Sequence, residues 1–289
     1  MLLTRQIIVQ VMTVILLAYL TAYAEAVPLI GINPIGGSAG TSLLNIQTNP
    51  FSVSSIGTAG GSEVLSGLDF DSRTRTLFAS SGHGGAHPGS LFRVNLSTGA
   101  ATLIGPTGFD GVPGLAFDLD GTLFGSTPVT SSLIRINRNT GVGLAVGTIG
   151  FAFVDAIAVD PTTGTLFGIS DLAGNRLITI NKTTGKGTSV GLITGAFNAA
   201  PADPIVGLTF DSQANLYGSL GRNFAAAEAG SIISINRDTL KFTILGDAAN
   251  GAVSDITFIS PEPKIIILLI IAAPVVLGCV RCRQKLHLN

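Results

Sequence analysis

A four-strand unit repeats along this chain and leaves it few architectures to adopt. Residues Ala156 to Gly191 show the unit most clearly, as four short apolar runs: Ile157–Val159, Thr165–Ile169, Arg176–Ile180 and Thr188–Val190. Each run is too short for a helix and rich in β-branched residues, so each reads as one strand. Turn chemistry separates them, with Asp160-Pro-Thr-Thr-Gly164 after the first run and Asn181-Lys-Thr-Thr-Gly185 after the third. The unit is therefore a small antiparallel meander.

The turn between the third and fourth strands measures the repeat. It reads Asn95-Leu-Ser-Thr98-Gly99, Asn137-Arg-Asn-Thr140-Gly141 and Asn181-Lys-Thr-Thr184-Gly185, with looser copies at Asn45-Ile-Gln-Thr48-Asn49 and Asn236-Arg-Asp-Thr239-Leu240. An Asn side chain can cap such a turn, and the last position favours positive φ, which Gly adopts freely and Asn tolerates. Leu240 departs from that rule, so its turn is expected to take another form. The asparagines are spaced by 50, 42, 44 and 55 residues, inside the range of a four-stranded propeller blade. A second ruler marks the first strand of each unit: Gly67-Leu-Asp-Phe-Asp71, Gly114-Leu-Ala-Phe-Asp118, Ala156-Ile-Ala-Val-Asp160 and Gly207-Leu-Thr-Phe-Asp211. The phenylalanines at positions 70, 117 and 210 are expected in the core between units. The N-terminal runs Leu29–Ile32, Leu43–Ile46 and Val53–Ile56 lack a first strand, and Asp255-Ile-Thr-Phe258 is a first strand lacking the other three. Pairing them completes a fifth unit and leaves no open end to the ring. The expected fold is all-β: a five-bladed β-propeller closed by its N- and C-terminal strands. A six-bladed ring or an open solenoid is the alternative.

Composition agrees. Of 289 residues, 11% are charged and 37 are glycine, which suits a turn-rich β domain rather than a disordered chain. A formal net charge of −1 argues against an electrostatic nucleic-acid binder. Both cysteines, Cys279 and Cys282, fall near the C-terminus. Their C-x-x-C spacing lacks the βαβ context of a redox motif, and thiols at a membrane edge are the plainer reading.

The two ends read as targeting segments. Residues 1–26 carry Arg5, an apolar run from Ile7 to Leu20, and Ala22-Tyr-Ala24-Glu-Ala26, the pattern of a signal peptide cleaved after Ala24 or Ala26. An uncleaved N-terminal anchor is the alternative. The propeller then occupies 27–260. In the tail, 261–289, Pro261-Glu262-Pro263 precedes an apolar run over 265–280 and then Arg281, Arg283 and Lys285. The run is slightly short for a span of about 20 residues, though Lys264 and Arg281 can reach the interfaces. Basic residues beyond it would stay cytoplasmic and place the propeller outside. These three ordered features resemble the PEP-CTERM sorting signal of Gram-negative bacteria. The resemblance implies export, retention at the inner membrane through a transmembrane helix, and processing by an exosortase near Pro261–Pro263, in exopolysaccharide-producing cells. A single-pass anchor that is never cleaved is the alternative.

Chemistry is written more faintly. Asp118-Leu-Asp120-Gly121-Thr122 resembles the nucleophile loop of haloacid-dehalogenase-type phosphatases, but its register makes it the first-to-second-strand turn of one unit, and the helices of that fold are missing. The repeated Gly-Leu-Ala-Phe-Asp pattern is also similar to NHL-type and lactonase-type propellers. In the lactonase group a calcium or zinc ion sits in the central channel. Here the residues before the innermost strands are Ser66, Pro113, Asp155, Val206 and Ser254, a poor cage for Ca²⁺, which takes six to eight oxygens. Glu63, Asp110 and Asp203 precede three of these strands by four residues, and Asp155 and Asp255 lie near the start of the other two. The five are expected to ring one mouth of the channel and to bind a cation, with Ca²⁺ as the candidate, or a cationic or hydroxyl-rich ligand. His83 and His87, and Arg222 in the loop 219–230, open on the same mouth. No H-E-x-x-H or P-loop is present, and no catalytic residue is nominated. The expected function is a non-catalytic binding or matrix module on an exported surface protein. Its partners are signal peptidase, an exosortase-type enzyme, the inner membrane and extracellular polysaccharide. A calcium-dependent lactonase or esterase is the alternative.

Overall fold

The computed structural model describes residues 28–34, 40–127, 131–172, 174–195, 204–221, 230–248 and 253–259, and they form strands and turns only. The predicted signal peptide, the Pro-Glu-Pro tail with its transmembrane run, and both Asp203 and Arg222 lie outside the described residues.

Three strands come first: β1 (Leu29–Asn33), β2 (Ser42–Thr48) and β3 (Phe51–Thr58). Four complete meanders follow. Blade 1 holds β4 (Leu65–Asp71), β5 (Thr76–Ser81), β6 (Ser90–Val94) and β7 (Ala101–Pro106). Blade 2 holds β8 (Gly114–Phe117), β9 (Leu123–Thr127), β10 (Ser132–Ile136) and β11 (Gly143–Thr148). Blade 3 holds β12 (Val154–Val159), β13 (Leu166–Ser170), β14 (Arg176–Ile180) and β15 (Gly187–Leu192). Blade 4 holds β16 (Ile205–Phe210), β17 (Leu216–Leu220), β18 (Ser231–Asn236) and β19 (Lys241–Asp247). The last strand, β20 (Asp255–Phe258), pairs antiparallel with β1, Leu29 opposite Phe258 and Ile32 opposite Asp255. The fifth sheet is therefore β20-β1-β2-β3. The five-bladed ring closes on itself as the two partial units require.

The core lies between blades. Among the described residues there are five buried apolar clusters, one at each interface of neighbouring blades. In three of the five first strands the recurrent Phe meets an aromatic ring on the second strand of the blade before it. Phe117 packs on Phe78 with centroids 5.3 Å apart, Phe210 on Phe167 at 5.5 Å, and Phe258 on Tyr217 at 5.1 Å, the tilted or edge-to-face contacts that aromatic pairs favour.

Every outer strand carries one bulge. Pairing skips Ile56, Ile104, Val146, Val190 and Leu245, and each is followed by a glycine. That glycine is where the next blade's turn touches down. A Cβ on Gly57, Gly105 or Gly147 would lie within 2.4 Å of the carbonyl oxygen of Thr98, Thr140 or Thr184. The same neighbours are clasped by backbone bonds from Ala101 to Ala59 (2.9 Å), Gly143 to Thr107 (2.9 Å), Gly187 to Ile149 (2.8 Å) and Phe242 to Thr194 (3.0 Å).

The Asn turns form as expected in four places. The Oδ1 of Asn95, Asn137, Asn181 and Asn236 accepts amides two and three residues on, at 2.8–3.3 Å. Two turn expectations need correction. Leu240 keeps the form of its relatives, with φ of 54° against 74–81° at Gly99, Gly141 and Gly185. Its side chain lies over Gly191, which has room for it, and packs on the core between blades 3 and 4. Asn45 is no turn at all. It pairs with Ser54 inside β2, and the chain reverses at Asn49–Pro50. Leu44 and Ile46 on either side of it are core residues, so a turn there would expose them.

Candidate functional site

Each blade starts with its innermost strand, so β4, β8, β12, β16 and β20 surround the axis and run in the same sense. Their far edges have no partner strand, and their inward N–H groups need other acceptors. Two carboxylates from the strands themselves answer that need. Asp255 of β20 accepts the amides of Leu68 (2.7 Å) in blade 1, Leu208 (3.3 Å) in blade 4 and its own neighbour Ile256 (2.9 Å). Asp69 of β4 accepts the amides of Phe117 (2.5 Å) in blade 2 and Phe70 (2.8 Å), and the Thr257 hydroxyl of the closing blade donates to it at 2.9 Å. The pair thus ties four of the five blades together at the axis.

Electrostatics match the position. Burial pushes the Asp69 carboxyl up to about 6 against the pull of its hydrogen bonds, with the Asp71 charge adding to the rise. Burial likewise raises Asp255 well above the ordinary carboxylate range, and the neighbouring Asp69 charge pushes the same way. Asp69 was not singled out from the sequence. Its signal is that aligned positions hold Ala116, Ala158, Thr209 and Thr257, so one blade alone brings a charge to this level of the axis.

The loops entering the innermost strands and those joining second to third strands share one mouth of the channel. There His87 Nδ1 lies 2.6 Å from Glu63 Oε1, a geometry in which the ring donates, and the ring packs edge-on to Phe92. Glu63 is half-buried, and its backbone carbonyl accepts the Thr41 amide and hydroxyl. Asp110 and His83 are exposed, the latter against Gly111. Asp155 and Asp255 are buried, at 4% and 2% exposure. The expected rim is thus divided by burial: Glu63 with His87 and Asp110 face the mouth, whereas the Asp255 carboxylate serves the inner strands. Among the described residues no three His, Cys, Asp or Glu side chains gather as metal ligands.

The other mouth is where the inner strands end. Here an ion pair links each of three blades to the next. Asp71 pairs with Arg138, Asp118 with Lys182 at 2.7 Å, and Asp160 with Arg237 at 2.7 Å. Burial works to raise Asp160, but the Thr162 hydroxyl and amide and the Arg237 guanidinium outweigh it and bring the carboxyl down to about 2. Asp118 and Asp120 sit in the β8–β9 turn, where Asp118 N–H donates to the Thr122 carbonyl, so the phosphatase-like letters belong to a blade turn. Between these turns the channel widens into a cavity of about 210 Å³ whose lining includes Asp69, Phe70, Phe117, Ala158, Thr209 and Thr257.

No protein-family profile matches the chain, and no curated protein matches it in sequence. Solved structures do. A chain of a nidogen–laminin complex is similar at a TM-score of 0.56 and 16% identity, over 81% of this chain and 99% of that one. A structural-genomics protein of unknown function from Bacteroides thetaiotaomicron VPI-5482 is similar at 0.52 and 12%, over 81% of this chain and 64% of that one. At these identities the likeness is one of fold, and that fold is the β-propeller.

Proposed function

We propose that this chain is an exported bacterial surface protein, membrane-anchored or released by an exosortase-type enzyme, whose propeller is a non-catalytic binding module of the extracellular matrix. One observation carries the non-catalytic part: the Asp255 carboxylate is spent on three backbone amides of the ring. The apolar N-terminal run, the Pro261-Glu262-Pro263 tail and the Arg281/Arg283 cluster support export and sorting. The mouth that carries Glu63 and His87 offers neighbouring polar groups on its loops, suited to a hydroxyl-rich ligand such as extracellular polysaccharide.

Mass spectrometry of both mature termini, with a glycan-array screen of the full chain in detergent, tests the reading. The expected result is an N-terminus at residue 25 or 27, a C-terminus either intact or near 261–263, and glycan binding that H87A weakens by roughly tenfold, about 1.4 kcal/mol. Retention of residues 1–26, or a calcium-dependent esterase activity, would contradict it.

A further inference from the structure

The cavity at the strand-end mouth is distinct from the Glu63–His87 mouth and needs nothing assumed about that one. Asp69 lies deep in the channel yet keeps part of its surface open to the cavity. Its Oδ1 takes two donors, Phe70 N–H and the Thr257 hydroxyl, whereas among the described residues its Oδ2 takes only Phe117 N–H. A carboxylate oxygen can accept two hydrogen bonds, so Oδ2 keeps one acceptor position. Among the described residues no Lys, Arg or His forms an ion pair with Asp69. The cations nearby are engaged elsewhere: Arg138 on Asp71, Lys182 on Asp118, and Arg73 on the Asp120 carbonyl. Around this charge the walls are mixed: Leu115, Val159 and Phe210 offer apolar surface beside the polar groups of Asp71, Thr209 and Thr257.

We propose that the cavity binds a compact organic cation, an ammonium group on a short apolar stem, with its charge on Asp69. A buried carboxylate without a counter-charge is costly, and an ammonium supplies both the charge and a donor to Oδ2. Aromatic walls attract the same group and shelter its methylenes. A divalent metal fits poorly, because among the described residues no set of three acidic or imidazole ligands assembles there. A neutral alcohol could donate to Oδ2 but would leave the charge uncompensated.

Protonation of Asp69 removes the attraction. The titratable groups facing it are Asp71 on its own strand, Asp255 on β20 and Asp118 at the end of β8, with Arg73, Arg138 and Lys182 held by the contacts already given. With Asp69 raised to about 6, roughly a tenth of it is ionised at pH 5.

The full chain in detergent is titrated calorimetrically with propylammonium chloride, with 1-propanol as the neutral control. The result expected is saturable binding of propylammonium at pH 7.5 and none of propanol, an affinity roughly tenfold lower at pH 5, and at least a comparable loss in D69N. In the unaltered protein, the NMR-detected titration of the Asp69 carboxyl carbon is expected to move to lower pH in propylammonium than in sodium at equal ionic strength. Absence of saturable heat, equal binding of propanol, wild-type affinity in folded D69N, or an unmoved Asp69 titration would each overturn the proposal. The NMR measurement decides if D69N does not fold.

Discussion

Two aspartates at the axis set how stability depends on acidity. In the unfolded chain Asp69 titrates near 3.8, and in the ring near 6. Between those values the folded protein holds more protons than the unfolded one, so stability falls as pH rises through this window. Asp255 acts in the same direction. Asp160, lowered to about 2, opposes them only below its unfolded value, where its contribution is lost as pH falls toward 2. The melting temperature is therefore expected to be higher at pH 4.5 than at 7.5, by roughly 5 °C for a ring of this size, and D69N should flatten the difference. A maximum at neutral pH that D69N leaves unchanged would contradict the assignment. How much of this was legible depends on the residue. Asp255 stood out by its place at the head of a lone strand, but its role reversed: expected on an outer rim, it turns inward to unpaired amides. Asp69 sat unnoticed in Gly67-Leu-Asp-Phe-Asp71, because a strand pattern alone does not say which edge faces an axis.

At the scale of the element, blades meet through glycines that receive the neighbour's turn. Gly147 and Gly191 occupy equivalent bulges but face different partners. A Cβ at 147 would sit 2.1 Å from the Thr184 carbonyl oxygen, a backbone atom, whereas at 191 it meets the end of the Leu240 side chain at 2.3 Å. G147A should cost at least about 2 kcal/mol in urea unfolding, G191A under about 1.5, since a side chain can rotate away and a backbone cannot. The ion pairs differ in the same comparative way. Asp160 is 1% exposed and its Arg237 also lies 5.3 Å from the Phe210 ring centroid, whereas Asp118 is more open. R237A, which strands a buried carboxylate, should cost about 2–3 kcal/mol, and K182A under about 1. Equal costs would mean that burial does not govern these pairs. The Asn turns could be read because their capping is local. The motif misled at Asn45, where flanking core residues outweigh the turn letters and Asn49–Pro50 takes the reversal.

For the molecule as a whole, the decisive element is the last one. Four blades are continuous in sequence, and the fifth exists only because four residues near position 255 return to the first strand. The closure was legible because two incomplete units at opposite ends could complete only each other. The cavity was not, since it is formed by turns from several blades whose approach no single repeat encodes. Both channel mouths depend on this joint: Asp255 and Thr257 lie on β20 and bond to blades 1 and 4. The most direct test is thermal unfolding of two shortened chains, one ending at Ser260 and one at Ser254. The ring predicts a single cooperative transition for the first at the temperature of the full chain, and for the second a loss of roughly 10 °C or more, or no folded state, because β1 and its neighbours lose their inner strand. Equal melting temperatures for the two chains would contradict closure by β20.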